Sequence, residues 1–302
     1  MKRVTTNYLN KIANTTNVFY EFSDEERKKF QSLLFEMYLD VAQACKKHNI
    51  SIMLSGGSTL GAIRHQGFIP WDDDWDAMMM REDYDRLTQI FDKELGDKYI
   101  LSVPGVKEKS NELFMEVIRK DTLLRRVHNN KKNKNGIRID IFPIENAPSG
   151  KLAQKIVGYI SDGMRILFGC KNTFINRDPF YKACLVGTFK MSVVYYVRYI
   201  IGMLFFPISQ KRLCSWFNKF TSGFKKGKYI AIPMGSKYYG GEILSREVFL
   251  PTKKAIFNGV EVDIPNDVHA YLKNLYGDYM RIPPVEERAQ HFVVDFSFDT
   301  TK

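Results

Sequence analysis

Four aspartates fall within five positions of FIPWDDDWDAMMM, residues 68–80. Trp75, Ala77 and Met79 alternate there with Asp74, Asp76 and Met78. Successive strand residues point to opposite faces. The spacing therefore predicts a half-buried strand carrying Asp74 and Asp76 on one face, with Cα atoms about 6.6–6.8 Å apart. Two carboxylates that close repel each other, and a divalent cation resolves the repulsion. Mg²⁺ suits such a place, or Mn²⁺ instead, because it takes carboxylates together with water and substrate phosphates. A third carboxylate from a neighbouring strand would complete the set. Asp140 is the candidate, since in GIRIDIFPI it shares the polar face with Arg138 while Ile137, Ile139 and Ile141 share the other. Such a trio can clamp the attacking and leaving oxygens of a phosphoryl transfer. Asp72 and Asp73 read instead as shaping the loop that enters the strand.

Upstream, SGGST sits at a strand-to-helix turn. Gly56 and Gly57 let the backbone approach a ligand. Ser58 and Thr59 then open a short helix, with Ser58 as its N-cap, whose first N–H groups suit phosphate. Arg64 and His65, at the end of that helix, are placed to contact phosphate or to order the loop.

Several elements must position these groups. FSDEERKKFQSLLFEMYLDVAQACKKHN opens with the capping box Ser23–Glu26 and continues with apolar residues at helical spacing. ISIMLSGG reads as a strand that ends at the glycines. REDYDRLTQIFDKEL reads as a helix, and LFMEVIRKDTLLRRV as strand, turn and strand. GIRIDIFPI is a strand that Pro143 ends. Residues 151–225 read as aromatic-rich helices. KKAIFNGVEVDIP carries an Asn-Gly hairpin signal, and DVHAYLKNLYGDYM a short helix closing near Gly277. The fold class is α+β, in three parts: a catalytic core at 1–150, a basic helical insertion at 151–225, and a mixed region at 226–302 that completes the site.

The chain has 302 residues and a net charge of +11. Residues 151–230 hold fourteen Lys/Arg against two Asp/Glu, a net of +12, so the whole excess lies there. A basic excess points to anionic partners: nucleic acid, nucleotide or a membrane surface. MSVVYYVRYIIGMLFFPI, residues 191–208, is apolar except for Arg198. A span needs about 20 apolar residues, and a central Arg costs about 2.5–3.5 kcal/mol or more. A membrane-surface or re-entrant helix and a buried core helix are both open; a span must meet the cost of Arg198. Cys45, Cys170, Cys184 and Cys214 are widely spaced, which reads as reduced thiols rather than disulfides or a zinc site. The first residues contain no apolar run of signal-peptide type.

GGSTLGAIRHQGFIPWDDDWDAMMMREDYDRL closely resembles the signature of the LicD family, the lipopolysaccharide choline phosphotransferases. GIRIDIFPIENAP and FLPTKKAIFNGVEVDIPNDVHAYLKNLYGDYMRIPPVEERAQHF are similar to further stretches of that family. The resemblance spans about 50–145 and 245–292, and little of 151–225 matches. Trp75 replaces a smaller aliphatic residue and AMMM a more aliphatic strand; both are packing changes that leave the carboxylates in place.

The resemblance implies a nucleotidyltransferase-like mixed sheet flanked by helices. It implies transfer of a phospho-alcohol, phosphocholine above all, from CDP-choline or another CDP-alcohol to a sugar hydroxyl. The acceptor would be a lipid-linked precursor of a cell-surface polysaccharide or teichoic-acid-like glycan. Asp74, Asp76 and Asp140 would hold the metal, Asp140 could accept the hydroxyl proton, and Gly56, Gly57, Ser58 and Thr59 would cradle phosphate. Arg119, Arg125 and Arg126 could add phosphate contacts. Tyr238, Tyr239, Tyr276, Tyr279 and Trp71 are available for a choline cage. Asp278, Arg288 and His291 belong to a block expected to close the site. The place implied is cytoplasmic, peripheral at the inner face of the membrane, with no nucleic-acid partner. Two alternatives stand beside it: a nucleotidyltransferase moving NMP to a small molecule or RNA, and an inactive glycan-binding protein at the membrane surface.

Overall fold

A computed structural model describes residues 2–13, 15–107, 112–288 and 291–300. In chain order the elements are α1 (Lys2–Ala13), α2 (Asp24–Lys47), β1 (Met53–Leu54), α3 (Gly56–His65), β2 (Asp76–Met80) and α4 (Arg81–Leu95). Strands β3 (Tyr99–Ser102), β4 (Met115–Arg119), β5 (Leu123–Arg126) and β6 (Arg138–Ala147) follow. Then come α5 (Lys151–Asn176), α6 (Pro179–Leu185), α7 (Phe189–Leu204) and α8 (Gln210–Thr221). The chain continues through β7 (Tyr229–Ala231), α9 (Tyr238–Gly241), β8 (Ile243–Ser245) and α10 (Arg246–Phe249). It finishes with β9 (Lys253–Phe257), β10 (Val260–Ile264), α11 (Val268–Tyr276) and β11 (Val293–Ser297).

The centre is a mixed seven-stranded sheet in the order β1-β2-β6-β4-β3, with β7 pairing β6 and β8 pairing β7. The pair β2–β6 is parallel, and the other pairs in this sheet are antiparallel. The architecture is thus α+β, a mixed sheet flanked by helices. The predicted alternation holds. Trp75, Ala77, Met79, Ile137, Ile139 and Ile141 enter one core with Phe30, Leu34 and Met37 of α2 and Tyr84 and Leu87 of α4. Met78 faces the other side, where it packs with Met53, Leu60 of α3, Ile144 and Tyr271 of α11. Each face is sealed by helices, and this drives the sheet's two apolar sides out of water.

The capping box at Ser23 forms, with Ser23 Oγ accepting from Glu26 N–H at 3.2 Å and Glu26 Oε2 accepting from Ser23 N–H at 2.9 Å. Asn258 and Gly259 both take positive φ, 47° and 80°, as an Asn-Gly hairpin turn requires. Gly277 ends α11 with φ 71°.

Four boundaries differ from expectation. β1 is two residues long, because β2 is its one sheet neighbour and the turn into α3 follows at once. α3 begins at Gly56 with Ser55, not Ser58, at the N-cap. β2 begins at Asp76, leaving Asp74 in the extended segment before it. Pro143 does not end β6, which runs on to Ala147. Asp140 N–H donates to Trp75 O on the β2 side, so the N–H direction of residue 143 falls on the β4 side. Pairing with β4 has already stopped at Ile141, so the donor that proline lacks is not needed there.

Residues 151–225 are helical, as expected. α5 packs along α7, α8 and α9. α7 covers Phe189–Leu204 rather than 191–208, and no helix among the described residues is long and apolar enough to cross a membrane. Several outer side chains of α7 are exposed, so it is not a buried core helix.

Candidate active site

The parallel pair β2–β6 places Asp76 directly opposite Asp140. On the other side of β6, β4 places Glu116 opposite Asp140. One row across the sheet therefore reads Asp76, Asp140, Glu116. Arg138 stands two residues before Asp140 on the same face; its Nε is 3.1 Å from Glu116 Oε1 and 3.9 Å from Asp140 Oδ1. Arg126, from β5, brings Nη1 to 3.9 Å from Asp140 Oδ2. Burial pushes Asp140 up to about 6 and Glu116 up to about 7, against the pull of Arg126 and Arg138. Burial works to lower Arg126, but Asp140, Asp74 and Asp73 together hold its pKa above the ordinary value.

The other aspartates cluster at the entry to β2. Asp72 is pushed well above the usual carboxylate range, first by burial and then by Asp74, Asp73 and Asp76. Asp76 is pushed up by burial, Asp74 and Asp140. Asp73 goes the other way: burial opposes, but His291, Arg126 and Arg27 hold it low. His291 bridges two of them, with Nδ1 2.5 Å from Asp73 Oδ1 and Nε2 3.2 Å from Asp74 Oδ2. Both ring nitrogens donate only in the imidazolium. Burial and Arg126 lower the His291 pKa, while Asp74 and Asp73 outweigh them and leave it raised. Asp72 stays in the entry loop, its N–H donating to Ile69 O at 2.9 Å, while its carboxylate joins the acidic group; Asp73 anchors the C-terminal segment. The loop itself is held from α2. Gln31 Nε2 donates to Ile69 O at 3.2 Å and Asp72 O at 2.9 Å, and Arg27 donates to Trp71 O at 3.2 Å.

The glycine turn lies against this group. Gly56 has φ 46°, and a Cβ built on it would stand 2.8 Å from Asp76 Oδ2; one on Gly57 would stand 3.0 Å from Asp72 Oδ2. Tyr271 Oη accepts from Gly56 N–H at 3.0 Å and shares a 3.1 Å hydrogen bond with Ser55 Oγ. Ser58 Oγ accepts from Asp76 N–H at 2.9 Å, so this hydroxyl ties α3 to β2. Thr59 is fully buried and its Oγ1 has no hydrogen-bond partner. Its side chain is part of the support of the turn, not of a phosphate cradle.

Of the two roles expected for Arg64 and His65, the contacts are those of ordering. Arg64 Nε donates to His65 Nε2 at 3.0 Å, and its Nη1 donates to Tyr279 O at 2.8 Å and Arg281 O at 3.2 Å. They order the joint between α3 and the segment after α11. Arg119 pairs with Glu36 at 2.8 Å. Arg125 pairs with Asp295 at 2.5 Å and Asp178 at 3.2 Å. Of the three arginines named from the sequence, Arg126 is the one at the carboxylates.

The five aromatics do not assemble into one cage. Tyr239 is fully buried beside Ala147, Val157 and Ala231. The Tyr238 ring carries the Arg165 guanidinium at 3.3 Å, and the Trp71 ring carries Arg288 at 4.0 Å. Tyr279 Oη lies 3.2 Å from His269 Nδ1. Tyr276 is the one at the site: its hydroxyl is pushed well up by burial, Tyr271, Asp76, Asp72 and Asp74. Asp278 is exposed.

The donors around Asp76 fit a hard divalent cation. They are all carboxylate oxygens, their mutual repulsion raises Asp72 and Asp76, and Asp140 Oδ1 is buried without a hydrogen bond. They are not drawn into a tight cage: among the described residues no three His, Cys, Asp or Glu side chains meet at metal-ligand geometry.

Two carboxylates escaped the sequence reading. Glu116 had a signal, a lone carboxylate between apolar neighbours in MEVIR, as Asp140 is in RIDIF. Glu242 had none. It is 3% exposed, accepts from Lys237 N–H at 2.7 Å, and is pushed up to about 7 by burial. Its charge reaches Asp76.

The mixed sheet, the glycine turn and the row of carboxylates define a carboxylate-centred site. The family model described as LicD/FKTN/FKRP, nucleotidyltransferase domain, matches residues 49–161, which contain β1 to β6 and all of these aspartates. The chain is 27% identical over 271 residues to the lipopolysaccharide cholinephosphotransferase LicD of Haemophilus influenzae, covering 87% of this chain and 95% of that protein. An uncharacterized protein of Rickettsia prowazekii is 38% identical over 78 residues, 24% of this chain and 29% of its own length. One of Rickettsia typhi is 42% identical over 65 residues, 21% of each. Residues 49–161 are thus similar to the nucleotidyltransferase domain of the LicD family, and the chain as a whole to one lipopolysaccharide cholinephosphotransferase.

Proposed function

We propose that this protein transfers phosphocholine from CDP-choline to a sugar hydroxyl on a lipid-linked glycan precursor at the membrane surface. The observation that carries the reading is the register of Asp76 against Asp140 beside the Gly56–Gly57 turn, in a chain similar along most of its length to a lipopolysaccharide cholinephosphotransferase. The sheet is read as nucleotidyltransferase-like on the same grounds. Another CDP-alcohol, or a teichoic-acid-like acceptor, would need the same core chemistry.

Asp74, Asp76 and Asp140 would hold Mg²⁺, or Mn²⁺, which would neutralise the donor pyrophosphate and the charge growing on CMP. The chain's own residues do the rest. The N–H groups of Gly57 and Ser58 in the first turn of α3 would face a phosphate of the donor, where the helix dipole favours negative charge. Arg126 adds a fixed positive charge beside Asp140. The acceptor hydroxyl oxygen bonds to the phosphocholine phosphorus as the bond from that phosphorus to the CMP oxygen breaks. Its proton passes to Asp140, the carboxylate nearest Arg126 in this row. Tyr276 stands at the rim: its hydroxyl is buried beside the carboxylates, while the rest of the residue is partly exposed.

The test is product analysis with Mg²⁺, CDP-choline and a lipid-linked glycan acceptor. Release of CMP with phosphocholine on the glycan supports the reading. Release of pyrophosphate from a nucleoside triphosphate would move it to nucleotidyl transfer, and turnover of neither would leave a glycan-binding protein.

A further inference from the structure

α7 carries its apolar residues on two opposite stripes. On the inner side Met191 and Tyr195 pack on Tyr181, Cys184 and Leu185 of α6, and Arg198 and Gly202 meet α5. Gly202 lets the helices close, since a Cβ there would collide with Cys170 O. Arg198 is turned inward too, its Nη2 donating to Gly169 O of α5 at 3.3 Å. The outer stripe runs through Phe189, Val193, Val197, Ile200 and Leu204, a rise of three or four residues each time. These residues are 87%, 45%, 43%, 48% and 67% exposed. Phe206, 62% exposed, prolongs the patch past the helix end. A helix on a water-facing surface shows polar residues outward; this one shows an uncharged apolar face. The inward turn of Arg198 removes the one charge that stood in the apolar run.

The surroundings of the stripe carry charge of one sign. Residues 179–241 contain ten Lys/Arg and no Asp or Glu. Lys190 follows Phe189 directly, Lys182 Nζ lies 5.7 Å from the Tyr196 ring, and exposed Lys211 and Arg212 open α8 five residues beyond Phe206.

We infer that the outer face of α7 seats the protein on an anionic lipid bilayer. The apolar stripe enters the headgroup boundary, and the flanking Lys and Arg meet anionic headgroups. α7 lies in the plane and does not span. The inference gives the lipid-linked acceptor of the proposed reaction a surface to be presented on, and so deepens that reading, but its test needs no catalysis.

Cosedimentation with vesicles of phosphatidylcholine mixed with phosphatidylglycerol, and of phosphatidylcholine alone, reads it directly. The protein binds the mixed vesicles, less well at high salt and less well to phosphatidylcholine alone. The double variant Val197→Asp, Ile200→Asp binds them about tenfold or more weaker, with an unchanged circular dichroism melt. CMP release to a soluble glycan acceptor stays the same in that variant. Equal binding by the variant, or no binding to the mixed vesicles, overturns the inference. So does a wild-type dimer in light scattering that the variant splits, because the face then belongs to a second copy. Failure of CMP release in both proteins, with vesicle binding intact, would strike the reaction and not the docking face.

Discussion

Asp76 and Asp140 are register partners across the parallel pair β2–β6, so two carboxylates 64 positions apart in sequence share one row of the sheet. Their separation follows from strand spacing rather than from loops, and such sites hold their geometry well. Asp76 also sits under the Gly56 turn, where charge is costly in the absence of a cation. Replacing Asp76 with Asn therefore has opposite effects on function and stability. CMP release falls by about 10²–10³ or more, while the melting temperature of the metal-free protein at neutral pH stays or rises. Thermal melts in chelator alongside turnover with Mg²⁺ check both.

Gly56→Ala strikes the same contact from the other side. The added methyl meets Asp76 Oδ2 and the residue must keep φ 46°. Strain of about 1–3 kcal/mol and a displaced carboxylate follow. Turnover per folded molecule drops as well as the melting temperature; a loss confined to stability would show that the turn does not set the position of Asp76.

His291 ties Asp73 and Asp74 together from the C-terminal segment, and β11 beside it pairs with β5, the strand of Arg126. His291→Ala frees Asp74, and a misplacement near 1 Å costs about 10²-fold in rate. The expected signature is a fall in kcat with a smaller change in the KM for the CDP-alcohol. His291→Gln, able to keep one of the two contacts, recovers part of it. A purely structural role would lower the folded fraction and leave kcat per folded molecule intact.

Glu242 supplies a pH dependence. Its ordinary value is 4.5, and burial raises the folded-state value to about 7. Between these values the folded state holds the proton that the unfolded state has lost, so stability falls as pH rises through the window and levels off above it. Glu242→Gln cannot ionise and keeps an acceptor for Lys237 N–H. Its advantage over the wild type is small near pH 4.5 and grows to about 3 kcal/mol above pH 7, from the pKa difference. Urea unfolding from pH 4.5 to 8 measures it; a constant difference would contradict the shift.

The alternation in residues 74–79 and 137–141 was legible because each strand buries a single kind of side chain on one face, and that leaves a period of two in the sequence. The capping box, the Asn-Gly hairpin and the α11 terminus were legible because their signals are local. The register of β2 on β6 was not, since about sixty residues of chain intervene and no local rule sets it. Asp72 reads as a loop residue because the chain is expected to become extended only at Asp74; that its carboxylate would turn towards Asp76 depends on the fold of the loop and leaves no local signal. Arg64 and His65 were assigned by nearness in sequence to the glycines, whereas the backbone carbonyls of Tyr279 and Arg281 that hold Arg64 come from more than 200 residues away. Glu242 has its partner in the backbone N–H of Lys237, which exists as a free donor only once that loop has folded.

The most direct test incubates the protein with Mg²⁺, a lipid-linked glycan acceptor and a panel of CDP-alcohols, with the Asp76→Asn and Asp140→Asn variants in parallel. The account predicts stoichiometric CMP and glycan-bound phosphocholine from CDP-choline in the wild type, and neither above background in the folded variants. Full turnover by either variant, or no CMP release from any CDP-alcohol by the wild type, would contradict it.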